Sequence, residues 1–381
     1  MDFELNEMQR GIQGGARDFA AGEFTKEIAL GLELNHSFPW EIWKKACQLG
    51  FIGVHFPPDC GGQGCGALEN ALIVEEFCRR DSGIGTAIIL SDFASEIILR
   101  NGSESQKKKY LPLIAHGEAI SAGAFTEPDH GSDITSMSTT ATKQGKEYLV
   151  NGSKTFITNG SIANFALVLC QTDRQVKPPH RGQSIIIVEK GGFEATELGA
   201  KMGIRMTSTA ELSFSDTRVP EENLVGGENR GFYQTLNFFD ESRVEIAAQA
   251  LGIAQGAFDR ALDYAKQREQ FGHKIAEFQV TQHKLADMAT LIEAARVLIY
   301  KSAWNFDQGR IDPKLTSMAK WYGARVAVEV TEEAIQIFGG YGYMLENEVE
   351  RFYRDARITE IYEGTREIQK NTIASALLGK F

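Results

Sequence analysis

Apolar residues recur at helical spacing through the first 118 residues and predict helices over about 2–21, 38–49, 67–80, 84–100 and 104–116. Between them stand turn-forming runs such as FPPDCGGQGCG and RNGSES. From about 119 to 225 the period shortens. YLVNGSKTFITNG reads as two β-rich runs about an Asn151-Gly152 turn, a hairpin signal. FALVLCQTD and SIIIVEK are short β-forming runs, and AELSFSDTRVP alternates like a half-buried strand. From about 226 the helical period returns. RVEIAAQALGIAQGAFDRALDYAKQRE predicts one long helix, followed by helices over about 278–308, 313–338 and the closing segment, with Pro313 at a helix start. The pattern predicts an α+β multidomain chain: an N-terminal α-helical domain (1–118), a middle β-barrel or sandwich domain (119–225) and a C-terminal helical domain (226–381). The order excludes a regularly alternating βαβ fold.

Composition narrows the function classes. A chain of 381 residues with 43% hydrophobic and 24% charged content is that of an ordinary globular protein with a large core. The formal net charge of -11 argues against general nucleic-acid binding, but leaves room for a local basic pocket that takes a phosphorylated ligand. No apolar run approaches the roughly 20 residues of a bilayer span, so membrane insertion is not expected. The acidic, helix-like start MDFELNEMQRGIQ lacks the features of a signal or transit peptide. A cytoplasmic location is expected, or a mitochondrial matrix if a transit peptide was removed. Five cysteines without a secretion signal read as reduced thiols. His55, Cys60 and Cys65 are metal-ligating types, yet no second histidine stands close by, and no metal is expected.

The stretch RITEIYEGTREIQ raises a sharper question, because Glu363 follows an apolar and aromatic pair and precedes Gly364. A glutamate there is either an ordinary helix-start acid, favoured by the dipole, or a carboxylate held against apolar walls. The second kind has a raised pKa and suits proton abstraction.

Two motifs make the chain resemble the acyl-CoA dehydrogenase flavoprotein family along nearly its whole length, in its short-chain or butyryl-CoA dehydrogenase-like branch. The first is AFTEPDHGSDITS. The second is QIFGGYGYMLENEVERFYRD, with Gln336, Gly339, Gly340, Gly342, Tyr343, Glu346, Arg351 and Asp355 at the defining positions. KTFITNG, QREQFG and RDARITEIYEGT occur in the family's order. Two departures stand out. His130 replaces the usual small residue before Gly-Ser-Asp, and Phe156 stands where many relatives have tryptophan.

The resemblance implies a fold with a four-helix-bundle-like C-terminal domain, an acyl-CoA substrate and FAD. Removing hydrogens from adjacent carbons of a thioester needs a base, donors to the thioester oxygen and a hydride acceptor that no side chain can be. By resemblance Glu363 is the base and its own amide one of the donors. Some branches place the base just before an arginine on the first long C-terminal helix; here that residue is Ser242, and Glu241 lies one position too early. The resemblance assigns the flavin to Phe125, Thr126, Ser132, Phe156 and Thr158. It assigns Arg268, Gln270, Phe271, Gln336 and Gly340 to a neighbouring subunit's flavin, and Thr365 and Glu367 to the last contacts. A homo-oligomer, as a tetramer, follows, with an electron-transfer flavoprotein as electron acceptor. Ser132, Arg243 and Gly364 fall at substrate positions, although Arg243 is equally placed to pair with Asp240 on one helix face.

In relatives the helix over 84–100 lines the acyl cavity. Here it carries Asp92 in an apolar stretch. Asp92 reads either as an outer-face residue near solvent or as a second acid/base group for a polar, cyclic or unsaturated acyl group, with His130 as a candidate partner. An oxygen-using oxidase or monooxygenase and a non-catalytic binding protein are the other function classes. Rapid re-oxidation by air marks the first, and failure of the flavin to bleach with acyl-CoA marks the second.

Overall fold

A computed structural model describes residues 4–379; residues 2–3 of the first expected helix lie outside them. The N-terminal helices are α1 (Glu7–Glu23), α2 (Lys26–Asn35), α3 (Trp40–Gln48), α4 (Ala67–Arg80), α5 (Ser82–Ile89), α6 (Ser95–Asn101) and α7 (Glu104–Ala115). Asn6 and Gln9 close a capping box on α1, and Ser103 and Gln106 close another on α7. The single helix expected over 84–100 is broken. A 3-10 turn covers Leu90–Asp92, and Ala94 takes φ 72, so α5 and α6 are separate pieces. Asp92 therefore sits at a backbone break, where neighbouring N–H groups are free to meet it. The stretch Ser82–Asn101 is in fact 20 residues long and apolar enough to cross a membrane, but 94% of its apolar window is buried inside the protein.

Seven strands form the middle sheet: β1 (Ser121–Ala124), β2 (Thr140–Gln144), β3 (Glu147–Thr158), β4 (Phe165–Gln171), β5 (Gln183–Glu189), β6 (Glu194–Glu197) and β7 (Thr209–Pro220). Their order is β1-β4-β2-β3-β7-β6, with β5 paired to β4. Asn151-Gly152 is not a hairpin turn. It lies inside β3, where the register with β7 shifts between Val150 and Gly152. Gly152 adopts φ 139 and a Cβ there would come within 2.6 Å of Thr139 Oγ1, so the dipeptide makes a bulge. The tight turn is one step earlier, at Gly145-Lys146, because Gln144 pairs with Glu147. A second shift, between Lys154 and Ile157, brackets Phe156, whose φ of 56 turns its ring out of the sheet. Beneath it Lys154 is buried on Glu127 at 2.9 Å. Burial alone would raise the Glu127 carboxyl, but Lys154 and donors from Thr139 and Ser138 hold it down at about 2.

The C-terminal region holds α8 (Gly231–Gln267), a two-strand hairpin of β8 (Glu269–Gln270) and β9 (His273–Lys274), α9 (Gln279–Asp307), α10 (Pro313–Phe338), α11 (Val349–Ala356) and α12 (Arg366–Leu378). The long helix starts earlier than its pattern suggested and ends at Gln267, the first residue of QREQFG, whose Glu269-Gln270 pairs with His273-Lys274 as a hairpin. One apolar core runs through the N- and C-terminal helices, and a second lies within the sheet.

The three regions are tied by buried charge. Arg351 of α11 meets Asp81 at 2.5 Å, both side chains 1% exposed, while Asp81 caps α5 through the Gly83 and Ile84 amides. Asp355 accepts from Ser82 at 2.7 Å and from the Ile204 amide of the β region at 2.5 Å. Truncating one partner leaves the other charge buried and unpaired. Arg351→Ala is expected to lower unfolding free energy by about 3–5 kcal/mol in denaturant titrations; a loss below about 1 kcal/mol would show that the pair contributes little.

Candidate functional site

Glu363 lies between a 3-10 turn (Arg357–Glu360) and α12, whose N-cap is Thr365, so it is not a first-turn helix residue. Its backbone adopts φ 54 and that of Gly364 φ 89, two successive left-handed residues that reverse the chain. A Cβ on Gly364 would stand 2.7 Å from Gln369 Nε2, so conformation and space both call for glycine. The turn sends the Glu363 side chain toward α8, where Ser242 Oγ donates to its Oε2 at 2.5 Å. Glu241 points elsewhere and pairs with Arg100 at 2.7 Å.

The electrostatics are those of a poised acid. Burial pushes the Glu363 carboxyl up to about 7, against the Ser242 hydrogen bond and the charges of Arg243 and Lys320. Arg243 is buried and divides its guanidinium between Asp240 at 3.4 Å and the Glu363 carbonyl, also at 3.4 Å. Beside Glu363, Tyr362 Oη donates to Gln249 of α8, and Gln249 donates to Thr86 of α5 at 2.8 Å. That chain links the Glu363 loop to the α5–α6 segment.

The structure buries Asp92, which removes the outer-face reading. Burial and then the Glu96 charge raise its carboxyl to about 7, while His55 and the Asp92 and Gly53 amides oppose the shift. His55 Nε2 lies 3.3 Å from Glu96 Oε1. His130, the partner considered from sequence, instead closes a turn, exchanging backbone hydrogen bonds with Glu127 at 3.0 and 3.1 Å. Among the described residues no group of three or more His, Cys, Asp or Glu could hold a metal. Glu245 of α8 joins this wall. Burial, then Asp92, Glu96 and Glu363, push its carboxyl well above the usual range. Glu245 was missed in the sequence, although its place between Ser242 and Gln249 on one helix puts it on their side.

The remaining candidates fall into two groups. On the β side, the Thr126 carbonyl accepts from the Thr155 amide at 2.9 Å, which sets the first motif beside Phe156 and Thr158. Phe125 is buried against Phe238 and Phe239; Phe156 is 68% exposed; Thr158 is half-buried and Ser132 exposed. At the far end of α8 and α10, Arg268, Gln270 and Gly340 line one cavity of about 450 Å³ with Tyr264 and Tyr341. Phe271, at the hairpin tip, is 92% exposed, and Gln336 is exposed on α10. No β-region residue lines that cavity. Thr365 caps α12 through the Ile368 amide, and exposed Glu367 bonds Arg366 at 2.9 Å.

Comparison with known proteins matches this arrangement. Three family models cover the chain: acyl-CoA dehydrogenase N-terminal domain over residues 6–118, middle domain over 122–217 and C-terminal domain over 229–378. The chain is 40% identical to the caffeyl-CoA reductase-Etf complex subunit CarC of Acetobacterium woodii, over 99% of this chain and 100% of that protein. It is 39% identical to cyclohexane-1-carbonyl-CoA dehydrogenase of Geobacter metallireducens, over 94% of each. The solved butyryl-CoA dehydrogenase of Megasphaera elsdenii superposes with a TM-score of 0.95 at 38% identity, covering 99% of this chain and 100% of that one. The protein is a member of the acyl-CoA dehydrogenase family, an oxidoreductase family of flavoproteins.

Proposed function

We propose that the protein oxidises an acyl-CoA thioester at its α,β-carbons, with Glu363 as the base, FAD as the hydride acceptor and an electron-transfer flavoprotein as the electron acceptor. The observation that carries this reading is a half-buried glutamate whose carboxyl is brought to about 7 and aimed off a left-handed turn onto Ser242. At that value it is substantially ionised at neutral pH, yet basic enough to take a proton. Ser242 fixes the carboxylate's direction, and the Glu363 amide is the donor assigned to the thioester oxygen, where charge gathers as the α-proton leaves.

The residues fit FAD on two observations. Phe156 leaves an exposed ring beside Thr126 and Thr158, which are polar but uncharged and suit ring acceptors. Arg268 has no carboxylate partner among the described residues. Its guanidinium lies over the Tyr341 ring at 5.5 Å, in a cavity floored by Gly339 and Gly340. A free guanidinium beside side-chain-free backbone suits a diphosphate. FAD, when bound, supplies the electron sink that no side chain offers. Because the cavity around Arg268 is lined by no residue of the β-side group, the reading includes a homo-oligomer, a tetramer by family resemblance, in which one subunit completes its neighbour's site. The Etf complex of the Acetobacterium relative supports the acceptor. The purified protein should be yellow and oligomeric; a monomer that takes up no FAD would contradict the reading.

Glu363→Gln keeps size and hydrogen bonding while removing the base. Anaerobic flavin bleaching by acyl-CoA should slow by several orders of magnitude with FAD retained, at or beyond the upper end for a general base. In the wild type the ionised form is the active one, so bleaching should fall away as pH drops through about 7. Normal bleaching by the mutant would move the base elsewhere.

A second reading refines the substrate. The carboxyls of Asp92, Glu96 and Glu245 have no use to a linear fatty tail. With the cyclohexane-1-carbonyl-CoA relative, they favour an alicyclic, unsaturated acyl group, from which Asp92 would take a proton farther out than the α-carbon. Asp92→Asn should then depress turnover of cyclic or unsaturated acyl-CoAs at least tenfold, with unchanged FAD content, in a panel of linear, branched and cyclic thioesters. Wild-type turnover on its best substrate would leave an ordinary short-chain pocket.

A further inference from the structure

Lys320 carries no mark in the sequence: it is one lysine among SMAKWYGARV in the first third of α10. The structure leaves it 1% exposed and gives its Nζ two acceptors, the Tyr362 and Gly364 carbonyls, each at 2.7 Å. These are the carbonyls on either side of Glu363. The carbonyl between them accepts from Gln369 Nε2 at 2.9 Å and faces Arg243 Nε at 3.4 Å, and Gln369 also reaches the Gly364 carbonyl at 2.9 Å. Three consecutive carbonyls are thus gripped from α8, α10 and α12, while the carboxylate leaves on the side of Ser242.

Carbonyls alone do not account for an ammonium. Gln369 shows that a neutral amide satisfies two of them, and a buried ammonium with no ion-pair partner is costly. Lys320 makes no salt bridge within 4.0 Å among the described residues. Its hydrogen bonds hold the backbone on both sides of Glu363, and the Glu363 carboxylate is the foremost charge acting on it. We propose that Lys320 is a positioning residue for the base: it locks the left-handed turn at Glu363-Gly364 and, with Arg243, supplies the positive charge that keeps Glu363 ionised in a dry site. This deepens the assignment of Glu363 as base and rests on it.

The charged groups around the pair are Asp240, Arg243 and Glu245 from α8, Glu96 from α6 and Glu360 from the turn before the loop. Burial draws Lys320 down to about 7, with Glu363 opposing the fall, Arg243 adding to it and Glu360 opposing it. Glu363 and Lys320 therefore stabilise each other's charge. Removing the ammonium favours the protonated, inactive form of Glu363, so the acid limb of the rate must move to higher pH.

The test uses FAD-loaded enzyme and anaerobic bleaching by saturating acyl-CoA between pH 5.5 and 9, for Lys320→Met, Lys320→Gln and Lys320→Arg beside Glu363→Gln. The expected result for Lys320→Met is a rate at neutral pH about tenfold or more below wild type and an acid limb moved up by about one unit. Affinity for a non-reacting CoA thioether should stay within about twofold, since no substrate contact is removed. Lys320→Gln keeps a donor and should still show the moved limb; Lys320→Arg keeps the charge and should return it. A wild-type limb in Lys320→Met or Lys320→Gln overturns the proposal. So does loss of fold or FAD in all three lysine variants, which would make Lys320 a stability residue alone. If Glu363→Gln itself bleaches at wild-type rate, the base assignment fails, and that outcome is separate from the others.

Discussion

A carboxylate removed from water is the constraint around which this molecule is built. Its charged form is expensive in apolar surroundings, and its neutral form is a poor base. Glu363 sits between those limits because Ser242, Arg243 and Lys320 recover part of what burial takes away. None of the three is near it in sequence. Ser242 and Arg243 come from α8, and Lys320 from α10, so the acid's ionisation depends on the packing of the C-terminal helices against the closing loop. Two left-handed residues in succession are tolerated there because three side chains bind the loop's carbonyls from the opposite side.

The same helix carries a second polar surface. Glu245 lies between Ser242 and Gln249 and shares its surroundings with Asp92, Glu96 and His55, where the break between α5 and α6 leaves backbone donors for a carboxylate. Burial and neighbouring charge push the Asp92 carboxyl up to about 7 and the Glu245 carboxyl well above the usual range.

Much of the architecture was legible in the sequence because helix and strand periods are local. The α4 and α10 boundaries coincide with their apolar repeat, and the β-rich middle region stands out by composition. Local signals misled where one motif has two structural uses. Asn-Gly suits a turn and a bulge alike, and only the pairing with β7 decides between them. The break at Asp92 was invisible because α5 and α6 have continuous apolar character, and α2 was missed beside stronger neighbours. For the site, the glycine and aromatic neighbours of Glu363 marked it as unusual but left a helix-start acid and a walled-in carboxylate both open, and its place between a 3-10 turn and α12 required the fold. Lys320, Gln369 and His55 were not, since nothing in their own segments tells a gripping donor from a surface one. Their partners lie 42 to 44 residues from Lys320 on α10, and 41 for the His55–Glu96 pair. Asp92 was readable as an anomaly, but its burial and its partner required the fold.

The poise of the Glu363 carboxyl near neutrality can be measured on the residue itself. Infrared difference spectra of the FAD-loaded wild type, titrated from pH 5 to 9 and compared with Glu363→Gln, isolate its carbonyl stretch from those of Asp92, Glu245 and Asp355. The account predicts a protonated-carboxyl band that disappears with a midpoint at about 7 and is missing from the mutant. A wild-type spectrum with no such band above pH 5 would place Glu363 among ordinary exposed carboxylates and contradict the account.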